Sequence, residues 1–328
     1  MGNLESGKRE KRLHSPIQGL HHVTATVNDA QEDLDFFAVA LGLRLVKKTV
    51  NFDNHLVYHF YYGDGRGTPG SLMTTFPYRG MGVPVGTRGA GQISATAFSV
   101  PSGSLDFWRR HLGGHGVAVA ETGTRFGQEF IAVEDPSGLV IELVAEERDE
   151  RVPWTTESIG PDAAIRGLHG ITMLIRSLDR SLELLTGILG YASVEGSKTR
   201  VRLAVGGDAP GRRIDLVSAP EARPAVNGLG TVHHVAMAVP DAEGQLNIRT
   251  ELLELGYKVT QVLDRQYFRS IYFREPGGVL FEIATIPPGF TVDEAPASLG
   301  RDLKLPPWEE PNRDVIEAGL PSVRLMAR

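Results

Sequence analysis

Residues 231–240 read TVHHVAMAVP, and residues 19–28 read GLHHVTATVN. After the paired histidines, apolar residues alternate with small or polar ones, which is the period-2 pattern of a β-strand. Two further stretches, ISATAFSV (93–100) and LHGITMLI (168–175), show a similar alternation. The chain therefore contains four similar strands, and two of them begin with adjacent histidines.

Each of these strands opens a segment with the same order of elements. A clear helical segment follows in three copies, and the second copy has an equivalent one. Each of the three ends near a glycine suited to a C-cap, as at Gly42 and Gly190. Two copies close almost identically, as IAVEDPSGLVIELVAE (131–146) and IYFREPGGVLFEIATI (271–286), with a turn between two β runs. The repeated pattern is β-α-β-β-β. We predict a polar N-terminal arm at 1–18, modules at 19–80, 91–146, 166–219 and 231–286, and a Pro-rich C-terminal tail at 287–328.

Composition excludes several classes of protein. The net charge of −6 argues against a nucleic-acid binder or a basic membrane-surface protein. No stretch approaches the roughly 18 consecutive apolar residues of a spanning helix, and the N-terminus lacks the apolar region of a secretory signal. The chain has no cysteine, so it has no disulfide framework, zinc–thiolate site or thiol nucleophile. We expect a cytoplasmic protein without nucleic-acid or membrane partners.

Strand parity assigns the histidines to faces, because alternate side chains share a face. The bulkier face of the first copy consists of Val23, Ala25 and Val27. We expect the helix to cover that face, so the opposite face, with Thr24, would line a cup. The second histidine of each pair, His22 and His234, shares this cup face. The first histidines, His21 and His233, would lie at the strand mouth, where they either cap the core or contact the site.

Carboxylates occur near the end of two modules. Glu282 lies on an otherwise apolar strand face, where a charge is costly unless it is paired or bound to a metal. Glu142 occupies the matching position in the second module, and one of the two is open to a structural role.

Counting ligands then decides how the modules pair. Pairing neighbours in sequence gives each cup one histidine. Pairing module 1 with module 4 collects His22, His234 and Glu282, with a neutral Thr75 in the fourth position. Two histidines and one carboxylate with open positions are typical of non-haem Fe(II) oxygen chemistry. Modules 2 and 3 would form a second, vestigial cup.

These modules and motifs, with GTPGSLMTTFPYRG (67–80) and DRQYFRSIYFREPGGVLFEIAT (264–285), resemble the vicinal oxygen chelate superfamily, which includes glyoxalases and bleomycin resistance proteins. Within it, the sequence is similar to hydroquinone-type extradiol ring-cleaving dioxygenases. The resemblance implies an α+β fold of two cupped mixed sheets. It also implies Fe(II), or Mn(II) in some members, and insertion of both atoms of O₂ into a small aromatic diol. It places near the substrate Tyr272, Arg265, His21, His233 and Thr24.

The residue types suit that chemistry. Two neutral imidazoles and one carboxylate leave a ferrous ion with open positions for a phenolate and O₂. A nearby tyrosine or histidine could exchange the phenol proton, and Arg265 could stabilise an anionic oxygen. The alternative for both Tyr272 and Arg265 is structural, as a strand aromatic and a solvated charge.

Two other functions stay open. A glyoxalase-like isomerase or lyase usually needs a fourth protein ligand as base, which Thr75 cannot supply unless Glu142 reaches the same metal. A metal-free binding protein of the same fold is the second. We expect a homo-oligomer, in which the C-terminal tail wraps the surface or a neighbouring subunit.

Overall fold

The computed structural model describes residues 15–325. Most of the predicted N-terminal arm, residues 1–14, lies outside the described residues, as do residues 326–328. None of the helices within the described range has the length and apolar character needed to cross a bilayer.

The first two modules follow the predicted order of elements. Module 1 comprises β1 (Leu20–Val27), α1 (Ala30–Leu34) with a π-helical turn (Asp35–Ala40), β2 (Arg44–Asn51), β3 (Asn54–Gly63) and β4 (Leu72–Pro77). Module 2 comprises β5 (Gln92–Pro101), α2 (Leu105–Gly114), β6 (Val119–Arg125), β7 (Gln128–Glu134) and β8 (Val140–Glu146).

The last two modules repeat this order. Module 3 comprises β9 (Gly167–Ile175), α3 (Asp179–Gly187), β10 (Tyr191–Gly196), β11 (Arg200–Val205) and β12 (Arg213–Ser218). Module 4 comprises β13 (Thr231–Val239), α4 (Ala242–Glu254), β14 (Leu263–Asp264), β15 (Arg269–Arg274) and β16 (Leu280–Thr285). The tail carries 3₁₀ turns at Phe290–Val292, Pro296–Ser298 and Glu310–Asn312, and α5 (Arg313–Gly319).

The strands form two eight-stranded mixed sheets, and the module pairing predicted from the ligand count is confirmed. The first sheet has the order β14-β15-β16-β13-β1-β4-β3-β2, which joins modules 1 and 4. The second has the order β10-β11-β12-β9-β5-β8-β7-β6, which joins modules 2 and 3. Within each module the last strand pairs parallel to the first, and the two first strands meet antiparallel at the sheet centre.

Repeated local signals set the helices against these sheets. Asp29 caps α1 by accepting hydrogen bonds from two backbone N–H groups, and Asp241 caps α4 in the same way with one. Gly42 and Gly190 have φ of 67° and 75°, which glycine adopts without strain. The helices cover the bulkier strand faces, as predicted. The main hydrophobic core contains the β1 residues Val23, Ala25 and Val27.

The C-terminal tail lies along the chain's own first sheet. Lys47 on β2 is fully buried and donates to Asp293, at 2.6 Å, and to Glu294. Phe290 packs on Tyr61 of β3 with 5.0 Å between ring centroids. The tail therefore shields the β2–β3 side of the first cup from solvent.

Candidate metal centre

Three side chains from adjacent strands converge inside the first cup. His22 lies on β1, His234 on β13 and Glu282 on β16, and all three are buried. The two Nε2 atoms lie 3.3 Å apart. Glu282 Oε2 lies 3.3 Å from His22 Nε2 and 2.9 Å from His234 Nε2. The pairing of modules 1 and 4 thus brings together the three residues selected by strand parity.

The donor set fits a metal cation. Two metal–ligand bonds of about 2.1 Å that meet at a right angle place their ligand atoms about 3 Å apart. The three distances between the ligand atoms here are close to that value. Within residues 15–325, Glu282 Oε2 is buried without a hydrogen-bond donor, although two ring nitrogens face it. A buried carboxylate in this position is costly without a counter-charge. In the same range, no other group of three or more His, Asp or Glu side chains brings its ligand atoms so close together.

Two β-bulges explain the paired histidines. In the β1–β13 register, His22 pairs with Ala236 and Leu20 with Met237, so His21 is the extra residue. Likewise Thr24 pairs with His234 and Ala25 with Val232, so His233 is the extra residue of the second bulge. A bulge breaks the strict alternation of faces. Each first histidine can therefore contact the second: Nδ1 of His21 lies 2.9 Å from Nδ1 of His22.

The first histidines orient the ligand rings. His233 Nδ1 lies 2.7 Å from His234 Nδ1. With a metal ion bound at both Nε2 atoms, the single proton of each inner ring would lie on Nδ1 and would donate to the outer histidine. Burial, followed by the adjacent ring, lowers the pKa of His21 to about 3 and that of His233 to about 4, so both outer rings stay neutral acceptors. Their contact with the site is thus through the ligand rings.

Tyr272 and Arg265 lie together beside the cluster. Tyr272 is opposite Glu282 in the β15–β16 register, and its ring centroid is 5.6 Å from that of His234. Arg265 Nε donates to the Tyr272 hydroxyl at 3.2 Å, and the same guanidinium contacts Asp53 at 3.1 Å. Burial, with the Glu282 charge, raises the pKa of Tyr272 well above its usual value. Tyr272 is therefore a neutral phenol able to donate a hydrogen bond.

The fourth cup position belongs to Thr74, and the assignment to Thr75 was wrong. Glu282 pairs with Ala236, which follows His234 by two residues. Thr24 follows His22 by two residues in the same way, and its partner on β4 is Thr74. The Thr75 hydroxyl instead donates to Asp33 on α1, on the helix side of the sheet. Thr74 Oγ1 contacts Thr24 Oγ1 at 2.7 Å. A neutral hydroxyl still occupies the fourth position.

In the second cup, the positions equivalent to the carboxylate position of the first cup carry ion pairs. Glu142 accepts two hydrogen bonds from Arg125, at 2.8 and 3.0 Å. Asp215 accepts two from Arg202, at 2.8 and 3.1 Å. The positions that match the two ligand histidines carry Ala95 and Gly170. Guanidinium groups thus neutralise these carboxylates, and Glu142 lies in a different cup from the histidines.

The sequence matches the profile of the Glyoxalase/Bleomycin resistance protein/Dioxygenase superfamily at residues 19–143 and 167–283. The chain belongs to this superfamily. Each of the two matched ranges spans two modules, so the two ranges together cover strands of both cupped sheets.

Several relatives within the superfamily align over nearly the whole chain. MhqO of Bacillus subtilis (strain 168), named as a ring-cleaving dioxygenase, is 44% identical over 302 residues, which cover 92% of this chain and 95% of MhqO. The chlorohydroquinone/hydroquinone 1,2-dioxygenase of Sphingobium indicum is 37% identical over 313 residues, covering 93% and 96%. A crystal structure described as a dioxygenase from Bacillus subtilis subsp. subtilis str. 168 has a TM-score of 0.90 at 42% identity, covering 95% and 99%.

Two cup residues of this superfamily member escaped the sequence analysis. His59 on β3 lies 3.0 Å from Thr74 Oγ1, and Ser270 on β15 donates to Glu282 Oε1. Strand alternation carried a signal for both. His59 shares parity with Tyr61, whereas Tyr58, Phe60 and Tyr62 face the helix-side core. Ser270 shares parity with Tyr272.

Ser270→Ala is expected to weaken metal binding about 10-fold, because partners that orient a ligand typically contribute this much to affinity. Ser270 is fully buried, and its bond occupies Oε1 while Oε2 faces the histidines. Competition with a chelator would measure the metal affinity. Ser181→Ala is the matched control, because it removes a buried Ser–Glu bond to Glu275 (2.6 Å) outside the cup. An equal loss of affinity in both variants would contradict this role.

Proposed function

We propose that the protein is a non-haem Fe(II) dioxygenase that cleaves the ring of a hydroquinone-type diol with O₂, both atoms entering the product. The convergence of His22, His234 and Glu282 in one buried cup carries the proposal. Relatives at 37–44% identity, named ring-cleaving and hydroquinone dioxygenases, support it. Mn(II) is the alternative metal.

His22, His234 and Glu282 would hold the metal. When bound, a ferrous ion supplies the redox chemistry, with positions left open for an aromatic oxygen and O₂. The outer histidines would accept hydrogen bonds from the Nδ1–H groups of the ligand rings and so fix their orientation. Ser270 holds the second carboxylate oxygen of Glu282.

Tyr272 and Arg265 would bind the substrate oxygen and hold its charge. Tyr272 keeps its proton and donates a hydrogen bond to the substrate oxygen. The positive charge of the adjacent Arg265 guanidinium favours the ionised, phenolate form of the substrate over its phenol form. The Arg265 side chain is 18% exposed, and His233 is partly exposed. These groups therefore lie between the buried cluster and solvent.

The competing functions fit the cup less well. An isomerase or lyase of this superfamily would need a base in the fourth position, and Thr74 offers only a hydroxyl. Glu142 cannot supply that base, since it lies in the second sheet and is held by Arg125. A metal-free binding protein would leave Glu282 buried beside two imidazoles without a cation.

The test is reconstitution with Fe(II) under anaerobic conditions, followed by metal analysis and an oxygen-uptake assay on hydroquinones. We expect one iron per chain, one O₂ consumed per diol, and loss of uptake after chelation. Metal binding without O₂ uptake on any diol would contradict the dioxygenase. Failure to bind a divalent metal would favour the metal-free binding protein.

A further inference from the structure

A chain of hydrogen bonds runs across the first cup beside the metal-ligating cluster. Thr24 Oγ1 lies 2.7 Å from Thr74 Oγ1, and Thr74 Oγ1 lies 3.0 Å from His59 Nε2. The Tyr61 hydroxyl lies 2.9 Å from His59 Nδ1. All four side chains are buried, and His59, at 9% exposed, reaches nearest to solvent. We call these four residues the polar chain.

Each member of the polar chain has one hydrogen to donate. A neutral imidazole has one N–H and one lone pair, and each hydroxyl has one O–H. Burial, with the nearby His22, keeps the pKa of His59 well below its usual value, so this ring is neutral. When Thr74 donates to His59 Nε2, the three hydrogen bonds run in one common direction from Thr24 to Tyr61, because Thr74 then has no second hydrogen for Thr24 and His59 has its only N–H at Nδ1. Among the described residues, Thr24 Oγ1 has the single side-chain partner Thr74, so that end of the chain is free to bind a further group.

The free end of the polar chain lies beside the ligand residues. Thr24 follows His22 by two residues on the same face of β1, and it is opposite His234 in the β1–β13 register. The ring of His59 is fixed between Phe76 and Tyr61, with centroid distances of 4.3 and 4.0 Å. A substrate bound at the cluster therefore has the Thr24 hydroxyl beside it.

We propose that His59 is a positioning residue for the substrate hydroxyl remote from the metal, acting through Thr74 and Thr24; this rests on the proposed function. The remote hydroxyl donates to Thr24, Thr24 donates to Thr74, and Thr74 donates to His59 Nε2. The Nδ1–H of His59 then donates to the Tyr61 oxygen. No proton leaves the substrate in this arrangement; the hydrogen bonds only take a common direction. A ring without the remote hydroxyl leaves the buried end of the polar chain unbonded.

The test is anaerobic binding of hydroquinone and of phenol, which lacks the remote hydroxyl, to the metal-loaded protein. We expect hydroquinone to bind the unsubstituted protein about 10-fold more tightly, a modest part of the selectivity that a hydrogen-bonding site can reach. His59→Leu and Thr74→Val should each reduce this ratio to about 2-fold or less, without loss of metal. His59→Gln, whose amide can reach the Nε2 position, should restore most of the ratio. The double variant His59→Leu/Thr74→Val should lose no more than either single variant.

Three results would overturn the proposal. The first is equal binding of the two ligands by the unsubstituted protein. The second is an unchanged ratio in metal-loaded His59→Leu, or in Thr74→Val if the His59 variant does not fold. The third is a failure of His59→Gln to restore the ratio. The proposed function is tested separately, because a protein that shows the expected ratios but consumes no O₂ would refute ring cleavage and leave the positioning role intact.

Discussion

Replacing any one of His22, His234 and Glu282 is expected to remove the metal and to lower kcat/KM for hydroquinone by more than about 100-fold. Loss of an outer partner of a ligand alone costs 10- to 100-fold, and these residues supply the ligand atoms themselves. The three atoms lie within 3.3 Å of one another, so none of the remaining pairs could hold the ion in the same way. His22→Ala, His234→Ala and Glu282→Gln would be compared by iron content and turnover.

The matched control is Glu142→Gln. Glu142 occupies on β8 the position that Glu282 occupies on β16, opposite Ala97 and Ala236 respectively. It accepts two hydrogen bonds from Arg125, and glutamine retains one acceptor oxygen for that partner. We expect full iron content and turnover, with a lower Tm because a buried ion pair is weakened. Loss of metal in Glu142→Gln, or full iron content in Glu282→Gln, would contradict the assignment of the ligands.

The fold could be predicted because the same module occurs four times, and because the modules pair in the way that collects both cup-facing histidines. Strand parity separated the bulky face of β1 from the face that carries His22. A carboxylate at Glu282 required a counter-charge. These inferences use only the period of a strand and the cost of burying charge, which hold in any sheet.

The contact between paired histidines could not be predicted from parity. In a regular strand His21 would face away from His22, and only the bulges at His21 and His233 turn the rings towards each other. A bulge depends on the register of two strands that are over 200 residues apart in sequence. That register is decided by packing between modules, and neither local sequence specifies it.

The error at Thr75 has a related cause. The last strand of each module pairs parallel to the first with a defined offset, so the cup residue of β4 is the one opposite Thr24. Counting positions within β4 alone gives no offset. His59 was missed because candidates were sought only on the first and last strands of each module. Alternation within VYHFYY (57–62) would have placed His59 and Tyr61 on the cup face.

Para-diols are expected to be cleaved in preference to catechols by at least about 100-fold in kcat/KM, because a site built to bind a distant hydroxyl rejects a ring that lacks it. A catechol has both oxygens at one end of the ring, where it can chelate the metal and needs no remote partner. A hydroquinone has one oxygen at each end. The cup has polar side chains besides the ligands, with Tyr272 and Arg265 in contact with each other near the cluster and Thr24 opposite His234.

The measurement is kcat/KM for hydroquinone and for catechol with the same anaerobically prepared ferrous protein. If catechol can chelate the open metal positions, it should bind in competition with hydroquinone even when it is cleaved slowly. Inhibition of hydroquinone cleavage by catechol would therefore separate poor binding from poor turnover. A ratio at or below one would refute the para-diol assignment and leave the metal site unaffected, because His22, His234 and Glu282 would hold the ion for either substrate.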